Sequence, residues 1–220
     1  GGWAVGSFVF TRKNRITADR QALLAEIRLD YEDGTSEVIG TDSRWSVTEG
    51  GNYLSADFYD GETFDASADI NLNSWREASV ERLRVRPEIV AEYGSHEVMH
   101  PVSCTKREDG ELIFDFGQNF AGVIRAQING EKGQKIIFRH SEILNGDGSL
   151  ATQLLRSAKA TATYICRQGA QTYSPRFTYM GFRYVGVKGV KEEDIALSAF
   201  ALYSDMEICG SFSCSDERIN

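Results

Sequence analysis

The stretch EDGELIFDFGQNFAG, residues 108–122, sets the fold class that this sequence predicts. It begins with Asp109-Gly110, a dipeptide typical of tight turns, because both residue types accept the positive φ angles that such turns require. Two sets of residues then alternate: Leu112, Phe114 and Phe116 on one side, and Glu111, Ile113 and Asp115 on the other. An alternation of period two predicts a β-strand whose aromatic face is buried.

Similar runs recur along the chain at short spacing. In the first half, Ala25–Tyr31 and Ser36–Gly40 flank the turn Glu32–Thr35 and predict a β-hairpin. Glu88–His100 lacks sustained alternation and ends just before a proline, which makes it the predicted domain boundary. Beyond this boundary, the strand at residues 111–116 is followed by six further predicted strands: Ala121–Ile128, Gln134–His140, Thr161–Cys166, Arg176–Tyr179, Phe182–Lys188 and Ala196–Tyr203. This spacing predicts an all-β protein built from β-sandwich or jelly-roll domains.

Few segments favour a helix. Leu150–Ala160 is rich in helix formers but has no sustained apolar stripe, so a loop carrying one or two helical turns fits equally well. Thr17–Leu24 is compatible with a single turn. Ser215 can cap a helix, and Asp216 and Glu217 place negative charge in its first turn. We therefore expect the sequence to end at the start of a helix, as an accessory region of a larger protein would.

Composition narrows the functional classes. The chain has 220 residues, with 24 Lys and Arg against 32 Asp and Glu, and its formal net charge of −8 argues against a nucleic-acid partner. With 41% hydrophobic residues it can bury a core. No stretch approaches the roughly 20 apolar residues that cross a bilayer, so we expect a soluble protein without a membrane partner, whether cytoplasmic or secreted.

The four cysteines are scattered without a CxxC pair, which favours free thiols over a metal site. The alternative for two of them is a disulfide between Cys209 and Cys214, which are close in sequence. The other two are Cys104 and Cys166.

The segment DFYDGETFD, residues 57–65, has the composition of a ligand site. It combines four carboxylates and three aromatic residues around Gly61. Aromatic faces stack on sugar rings, and carboxylate oxygens suit calcium. The alternative is a solvated loop whose carboxylates cap nearby amides. Trp3, in a glycine-rich stretch, is the tryptophan best placed to meet a ligand, whereas Trp45 is expected in a core. The candidate sugar-binding residues are Trp3, Asp57, Tyr59, Asp60, Glu62 and Asp65, with calcium as a candidate cofactor of the 57–65 segment.

Two further motifs favour a structural role. In residues 115–122, the glycines suit a bulge or a tight bend between two strands, and Gln118 and Asn119 can satisfy the backbone groups that a bend leaves unpaired. Among nearby charges, Arg139 with Glu142, or Arg183 with a carboxylate such as Asp115, is expected to form a partly buried ion pair that fixes strand register. His140 is not expected to act as a catalytic base, because no nucleophile motif accompanies it.

Together these motifs resemble bacterial α-L-rhamnosidases. The segments that carry the resemblance are 2–6, 31–34, 41–45, 60–66, 115–122, 139–142, 175–179, 181–184 and 210–216. The resemblance implies that residues 1–95 are the later part of an N-terminal β-sandwich, residues 101–210 a concanavalin-like β-sandwich, and residues 211–220 a junction to a catalytic (α/α)6 barrel. Catalysis in the family belongs to that barrel, so no catalytic residue is assigned here. Ala4 and Ser67 depart from the family pattern, which has Tyr and Arg there.

The hypothesis that follows is a non-catalytic accessory region that supports the catalytic barrel of a rhamnosidase-like glycoside hydrolase. An autonomous carbohydrate-binding module for rhamnose-type sugars is the alternative, because the 57–65 segment has the residue types of a sugar site. A protein-interaction module is the third option, since a surface evolved to face a barrel is expected to be apolar.

Overall fold

The structure, a computed structural model, describes residues 2–7, 13, 15, 17–49, 51–69, 75–80 and 92–220. Helical structure in these ranges is limited to the short helix α1 (Gly2–Val5) and two 3-10 turns, Thr152–Leu155 and Glu192–Asp194, and none of it is long and apolar enough to cross a membrane. The strands are β1 (Glu26–Asp30), β2 (Ser36–Gly40), β3 (Ser46–Val47), β4 (Tyr53–Asp57), β5 (Gly61–Asp65), β6 (Arg76–Glu77), β7 (Tyr93–Met99), β8 (Ser103–Lys106), β9 (Leu112–Gly130), β10 (Lys135–Ser141), β11 (Thr161–Ile165), β12 (Gly169–Tyr173), β13 (Met180–Lys188) and β14 (Ile195–Ser204). The all-β prediction is confirmed.

Strand β9 organises the main sheet. The main sheet has ten strands. Eight of them lie in the order β4-β5-β11-β10-β13-β9-β14-β7, and the other two, β8 and β12, pair with β9. The 19 residues of β9 change partners along the strand, from β8 and β13 in its first part to β14 and β12 in its last part. Because one long strand pairs with both sets of partners, the sheet curls on itself and encloses a common core in the manner of a β-sandwich.

The core follows the alternation seen in the sequence. Leu112, Phe114 and Phe116 are 1%, 7% and 3% exposed, so the predicted aromatic face is buried. Ile113 on the opposite face is also buried, which shows that this part of the sheet is covered on both sides. The remaining buried apolar side chains of the main cluster come chiefly from β9, β10, β11, β13 and β14: Ile124, Ala126, Ile128, Ile136, Phe138, Ala162, Tyr164, Phe182, Val185, Val187, Ile195, Leu197 and Ala199.

The predicted strand at Arg176–Tyr179 is wrong. This segment carries no strand, because the amides of Arg176 and Phe177 donate to the side chain of Glu62, at 3.1 Å each, and not to a neighbouring strand. The apolar residues that suggested a strand are exposed, with Phe177 at 54% and Tyr179 at 51%.

Strand β7 lies inside the segment that the sequence assigns to a domain boundary. It pairs with β14 and has no second neighbour among the described strands. Most of its side chains are exposed or half-exposed. An edge strand that buries little does not require alternating apolar residues. The sequence of this segment therefore shows no alternation, although a strand forms there.

The helix predictions meet mixed outcomes. Within 150–160 only the 3-10 turn Thr152–Leu155 forms, as the loop alternative implies, and 17–24 contains no helical residue. The expected helix start near Ser215 is a single turn, in which the Ile219 amide donates to the Asp216 carbonyl at 3.0 Å. The cap is not the predicted one: the Asp216 carboxylate, and not the Ser215 hydroxyl, accepts from the Arg218 amide at 3.1 Å.

The first predicted hairpin is confirmed as β1 and β2. The two strands pair in antiparallel register, and Gly34 occupies the turn with φ of +83°. Within the described residues they form a separate two-stranded sheet, and Ile27 and Val38 are 48% and 56% exposed. All four cysteines of the chain are free thiols, of which Cys166 is buried and Cys209 exposed.

The β4–β5 hairpin adds to the main sheet. Residues 63–65 of β5 pair in parallel with residues 163–165 of β11. The turn before β5 also docks: the amides of Ala160 and Thr161 donate to the carbonyls of Tyr59 and Asp60, at 2.9 and 3.0 Å. Strand pairing therefore runs across the boundary that the sequence predicts between residues 1–95 and 101–210.

Gly61 permits this docking, and its replacement tests it. Gly61 has φ of +103°, and a Cβ there would overlap the carbonyl oxygen of Thr161. Gly110 has a similar φ of +82° with open space around it, so it is a matched control. We expect Gly110→Ala to cost about 1 kcal/mol of unfolding free energy through backbone strain alone. Gly61→Ala is expected to cost about 3 kcal/mol or more, because steric overlap adds to that strain.

Urea denaturation of both variants, followed by circular dichroism, measures the difference. Equal losses for the two variants would contradict the tight docking of the turn against Thr161.

Candidate functional site

The β4–β5 hairpin carries the candidate sugar-binding segment, and its first carboxylate closes the turn. One oxygen of Asp57 accepts the amides of Tyr59 and Asp60, at 2.9 and 3.1 Å. Its other oxygen accepts the Ser7 amide at 2.7 Å, which ties the end of the α1 segment to the hairpin. Asp57 therefore acts as a turn cap, in the way that aspartate side chains commonly do.

Two further carboxylates of the segment also bind protein groups. Asp60 faces Lys159, with a distance of 3.3 Å between the carboxylate oxygen and Nζ. Asp65 accepts both the amide and the hydroxyl of Ser67, at 2.8 and 2.7 Å. Ser67, which departs from the family pattern, thus completes an Asp65-based turn at the end of β5.

Glu62 differs from these three carboxylates because it is fully buried, with donors more than 110 residues further along the chain. Its carboxylate is 1% exposed and lies between β5 and the segment after β12. One oxygen accepts the Tyr173 hydroxyl at 3.0 Å, and the other accepts the amides of Arg176 and Phe177 at 3.1 Å each. Burial, together with the nearby Glu62 charge, raises the pKa of Tyr173 well above its usual range, so the phenol keeps its proton and donates.

Aromatic rings surround this buried carboxylate. Phe64, next but one along β5, stacks on Tyr164 with ring centroids 6.0 Å apart, and Tyr164 stacks on Tyr173 at 4.5 Å. On the outer side, Tyr53 packs edge to face against Phe64 at 4.7 Å and Phe177 at 4.8 Å. The hairpin is therefore joined to the main sheet through backbone pairing, one carboxylate and a set of rings.

The structure places the remaining candidates as follows. Four of them are half-buried: Asp57, Tyr59, Asp60 and Asp65. Trp3 belongs to α1, and the side chain of Trp3 is outside the described part of the structure. No group of three or more histidine, cysteine or acidic side chains in the described ranges has the arrangement of a metal site. Sugar and calcium binding by the 57–65 segment stay predictions.

The 115–122 motif forms an irregular part of β9. The pairing between β9 and β13 shifts at Phe182/Tyr184, so residues 116–119 bulge opposite Arg183. Arg183 donates two bonds of 2.8 Å to the two oxygens of Asp115, which also accepts the Gly117 amide at 2.7 Å. The bonds from Arg183 hold the pKa of Asp115 below its ordinary value. The structure thus contains the Arg183–Asp115 pair that the sequence suggested.

The predicted pairing of Arg139 with Glu142 is wrong. Arg139 instead binds Glu111, whose side chain is 1% exposed, with Nε 2.9 Å from the carboxylate. Residues three apart at the end of a strand point to opposite faces, which keeps Arg139 and Glu142 apart. Glu142 accepts the side-chain amide of Asn119 at 3.2 Å. Gly186 leaves room for this ion pair, since a Cβ there would press on the Glu111 carboxylate and on Leu150.

His140 is a core residue. Its side chain is 2% exposed, Nδ1 donates to the Ala160 carbonyl at 2.9 Å, and the ring packs edge to face on Phe182 at 4.9 Å. Burial lowers the pKa of His140 to about 4, which leaves the imidazole neutral at physiological pH. The side chain thus holds the Ala160 carbonyl within the core, which is a structural role.

The buried His140 predicts a pH dependence of stability. Its pKa is about 4 in the folded chain, below the ordinary value near 6.5, so the unfolded chain binds a proton at higher pH than the folded chain does. The stabilising contribution is therefore complete above about pH 6.5 and is lost as pH falls toward 4, by about 3 kcal/mol in total.

Urea midpoints measured from pH 7 to pH 4.5 test this against His140→Asn, whose side-chain amide can still donate to the Ala160 carbonyl. The variant is expected to lose less stability over this range. Parallel curves for the two proteins would show that His140 does not titrate on unfolding.

Comparisons with known proteins agree with this architecture. Residues 1–108 match the alpha-L-rhamnosidase N-terminal domain, and residues 105–204 match the bacterial alpha-L-rhamnosidase concanavalin-like domain. An alpha-L-rhamnosidase from Streptomyces avermitilis is 36% identical over 201 residues, which are 86% of this chain and 19% of that protein. The chain spans about a fifth to a quarter of the length of the curated relatives it matches, from 19% to 26%.

Solved structures give the same result. The alpha-L-rhamnosidase of Aspergillus terreus superposes with a TM-score of 0.84 at 32% identity, over 99% of this chain and 27% of that one. The Streptomyces avermitilis enzyme, solved in complex with L-rhamnose, gives a TM-score of 0.82 at 32% identity, over 92% of this chain and 21% of that one. The chain belongs to the bacterial α-L-rhamnosidase family, in the region that matches the family's N-terminal and concanavalin-like domains.

Proposed function

We propose that this chain is the non-catalytic accessory region of an α-L-rhamnosidase-like glycoside hydrolase and that it supports the catalytic barrel of that enzyme. The observation that carries the proposal is the combined match of residues 1–204 to the N-terminal and concanavalin-like domains of the family. The proposed parent activity is hydrolysis of terminal α-L-rhamnosyl residues, the reaction by which the relatives are named.

The charges of the described residues support a structural role. Glycoside hydrolysis usually requires two carboxyl groups that flank the scissile bond, about 5 to 9.5 Å apart, with one of them protonated. Here the two most buried carboxylates, Glu62 and Glu111, are both occupied by protein donors. Asp57 and Asp65 serve as turn caps, and Asp115 is bound by Arg183.

The accessory role predicts that residues 1–220 alone do not hydrolyse p-nitrophenyl α-L-rhamnoside. Release of p-nitrophenol, followed by absorbance, is expected to match the buffer rate, whereas the full-length Streptomyces avermitilis relative serves as the positive control. Turnover above the buffer rate that persists after repeated purification would place catalysis within these residues and overturn the proposal.

An autonomous carbohydrate-binding module is the second candidate, with Trp3, Asp57, Tyr59, Asp60, Glu62 and Asp65 as its proposed contacts. It is favoured by one observation, that the related Streptomyces avermitilis enzyme was solved in complex with L-rhamnose. Of the proposed contacts, Asp60 lies at the turn of the hairpin, where it forms an ion pair with Lys159. The Lys159 side chain is largely exposed, so a sugar hydroxyl can compete with it for the Asp60 carboxylate.

Titration calorimetry with L-rhamnose, with and without calcium, tests this candidate. Saturable heat that weakens about tenfold in Asp60→Asn, and is unchanged in the control Asp33→Asn on the separate β1–β2 turn, is the expected result. A flat thermogram for the unaltered chain would contradict sugar binding at the hairpin and leave the supporting role unaffected.

A further inference from the structure

A cavity of about 480 Å³ opens where β7, β9 and β14 meet, at the end of the sheet order opposite to the β4–β5 hairpin. Its size falls within the range of small-molecule sites, roughly 300 to 1,000 Å³. The lining residues that matter for its chemistry are Glu97, Met99, Gln118, Phe120, Ala201 and Tyr203.

Two irregularities of the sheet border this cavity. The first is the bulge of β9 at residues 116–119, which places Gln118 at the rim just after Gly117, whose φ is +80°. The second is the register shift between β14 and β7 at Phe200/Leu202, beside Tyr203 and Glu97. Bulges are over-represented beside binding and active sites, because they redirect side chains out of the regular pleat.

The floor of the cavity is apolar and fixed. Ala201 is 7% exposed and contributes only a methyl group, so the space above it stays open. The Phe120 ring packs against Phe116 at 5.7 Å and against Phe182 at 4.7 Å, which anchors this wall to the buried core.

The rim is polar and also held in place. The Tyr203 hydroxyl donates to Glu97 at 2.8 Å, and the Tyr203 ring stacks on His96 with centroids 3.6 Å apart and planes 5° apart. The hydrogen bond from Tyr203 lowers the pKa of Glu97, so its carboxylate is charged at neutral pH and acts as an acceptor. Gln118 adds an exposed amide that can donate and accept.

We propose that this cavity binds one neutral pyranose ring, with the C–H face of the ring on the apolar floor and its hydroxyls on Glu97 and Gln118. An anionic ligand would be repelled by Glu97 and by the chain's net charge of −8. A metal ion is not favoured, because Glu97 is the single carboxylate among the described residues that line the cavity. This site is separate from the sugar contacts proposed on the hairpin, and it does not depend on the accessory role.

A second depression, which is larger, does not compete for this ligand. It has about 750 Å³ and lies over β9, β12 and β14, where its rim includes Arg167, Glu193 and Asp194. None of the described residues that line it is aromatic. It therefore lacks the aromatic ring on which a sugar face can stack, and Phe120 supplies such a ring in the smaller cavity.

Saturation-transfer NMR on residues 1–220 tests the proposal with three probes: D-glucose, L-rhamnose and D-glucuronate. Signals from the neutral sugars are expected at about 10 mM ligand, as for millimolar dissociation constants. D-glucuronate, which has the glucose ring with a carboxylate, is expected to bind about tenfold more weakly than D-glucose. Absence of signal from both neutral sugars would overturn the proposal.

Three variants locate the binding. Ala201→Leu fills the floor and is expected to abolish the signal, with circular dichroism as the check on its folding. Gln118→Ala changes an exposed bulge residue and is expected to weaken binding about fivefold without affecting the fold. Gln127→Ala, in the larger depression, is the matched control and is expected to change nothing.

The result of Asp60→Asn separates this site from the hairpin. A signal that survives Gln118→Ala and Ala201→Leu but disappears in Asp60→Asn would overturn the proposal and assign sugar binding to the hairpin. A signal that disappears in Ala201→Leu and persists in Asp60→Asn supports the cavity, whatever the hairpin binds.

Discussion

The buried carboxylate of Glu62 is the interaction on which the arrangement of this molecule depends. An ionised carboxylate removed from water loses several kcal/mol of solvation unless hydrogen-bond donors replace the water. The chain supplies three donors, the Tyr173 hydroxyl and the amides of Arg176 and Phe177, at 3.0 to 3.1 Å. These donors lie more than 110 residues further along the chain, so the carboxylate fixes one distant segment against another.

Other features follow from that constraint. The amides of Arg176 and Phe177 are committed to Glu62, so their segment cannot join a strand ladder and turns outward. Phe177 is thereby exposed beside Tyr53, while Tyr173 stays inside with Phe64 and Tyr164. The parallel pairing of β5 with β11 and the close approach of Gly61 to Thr161 then place the hairpin in one position.

Sequence patterns predicted the parts of this fold that are decided locally. The alternation in 112–116 identified the buried face, and Asp-Gly turns identified the hairpins, because both signals lie within a few residues. Asp57 and Asp65 also follow a local rule, since each caps an amide two residues away. For these two residues, the structure shows the capping of nearby amides that the sequence analysis gave as the alternative to a ligand site.

Contacts between distant residues were not predictable in this way. Nothing around Glu62 distinguishes it from the three other acids of its segment, and its donors are identified only once β5 lies on β11. Arg139 was matched with a near neighbour, Glu142, although its partner Glu111 lies 28 residues away and on the same face. The Arg183–Asp115 pair was one of the two pairings that the sequence offered, and it is the one that the structure contains. The cavity at β7 was missed for a different reason. Strand β7 is an exposed edge strand, and it has no apolar alternation by which the sequence could have identified it.

The boundary between the two matched domains therefore divides the sequence, but it does not divide the main sheet. The matches meet near residues 105–108, yet β4, β5 and β7 lie before that point and belong to the sheet built from β9 to β14. A chain cut there would leave β11 without its β5 neighbour, β14 without β7, and the buried hydroxyl of Tyr173 without an acceptor. Each loss exposes an unpaired strand edge or an unsatisfied polar group, at a cost of a few kcal/mol. The two matched regions therefore share one continuous sheet, in which strands from the N-terminal match complete the concanavalin-like match.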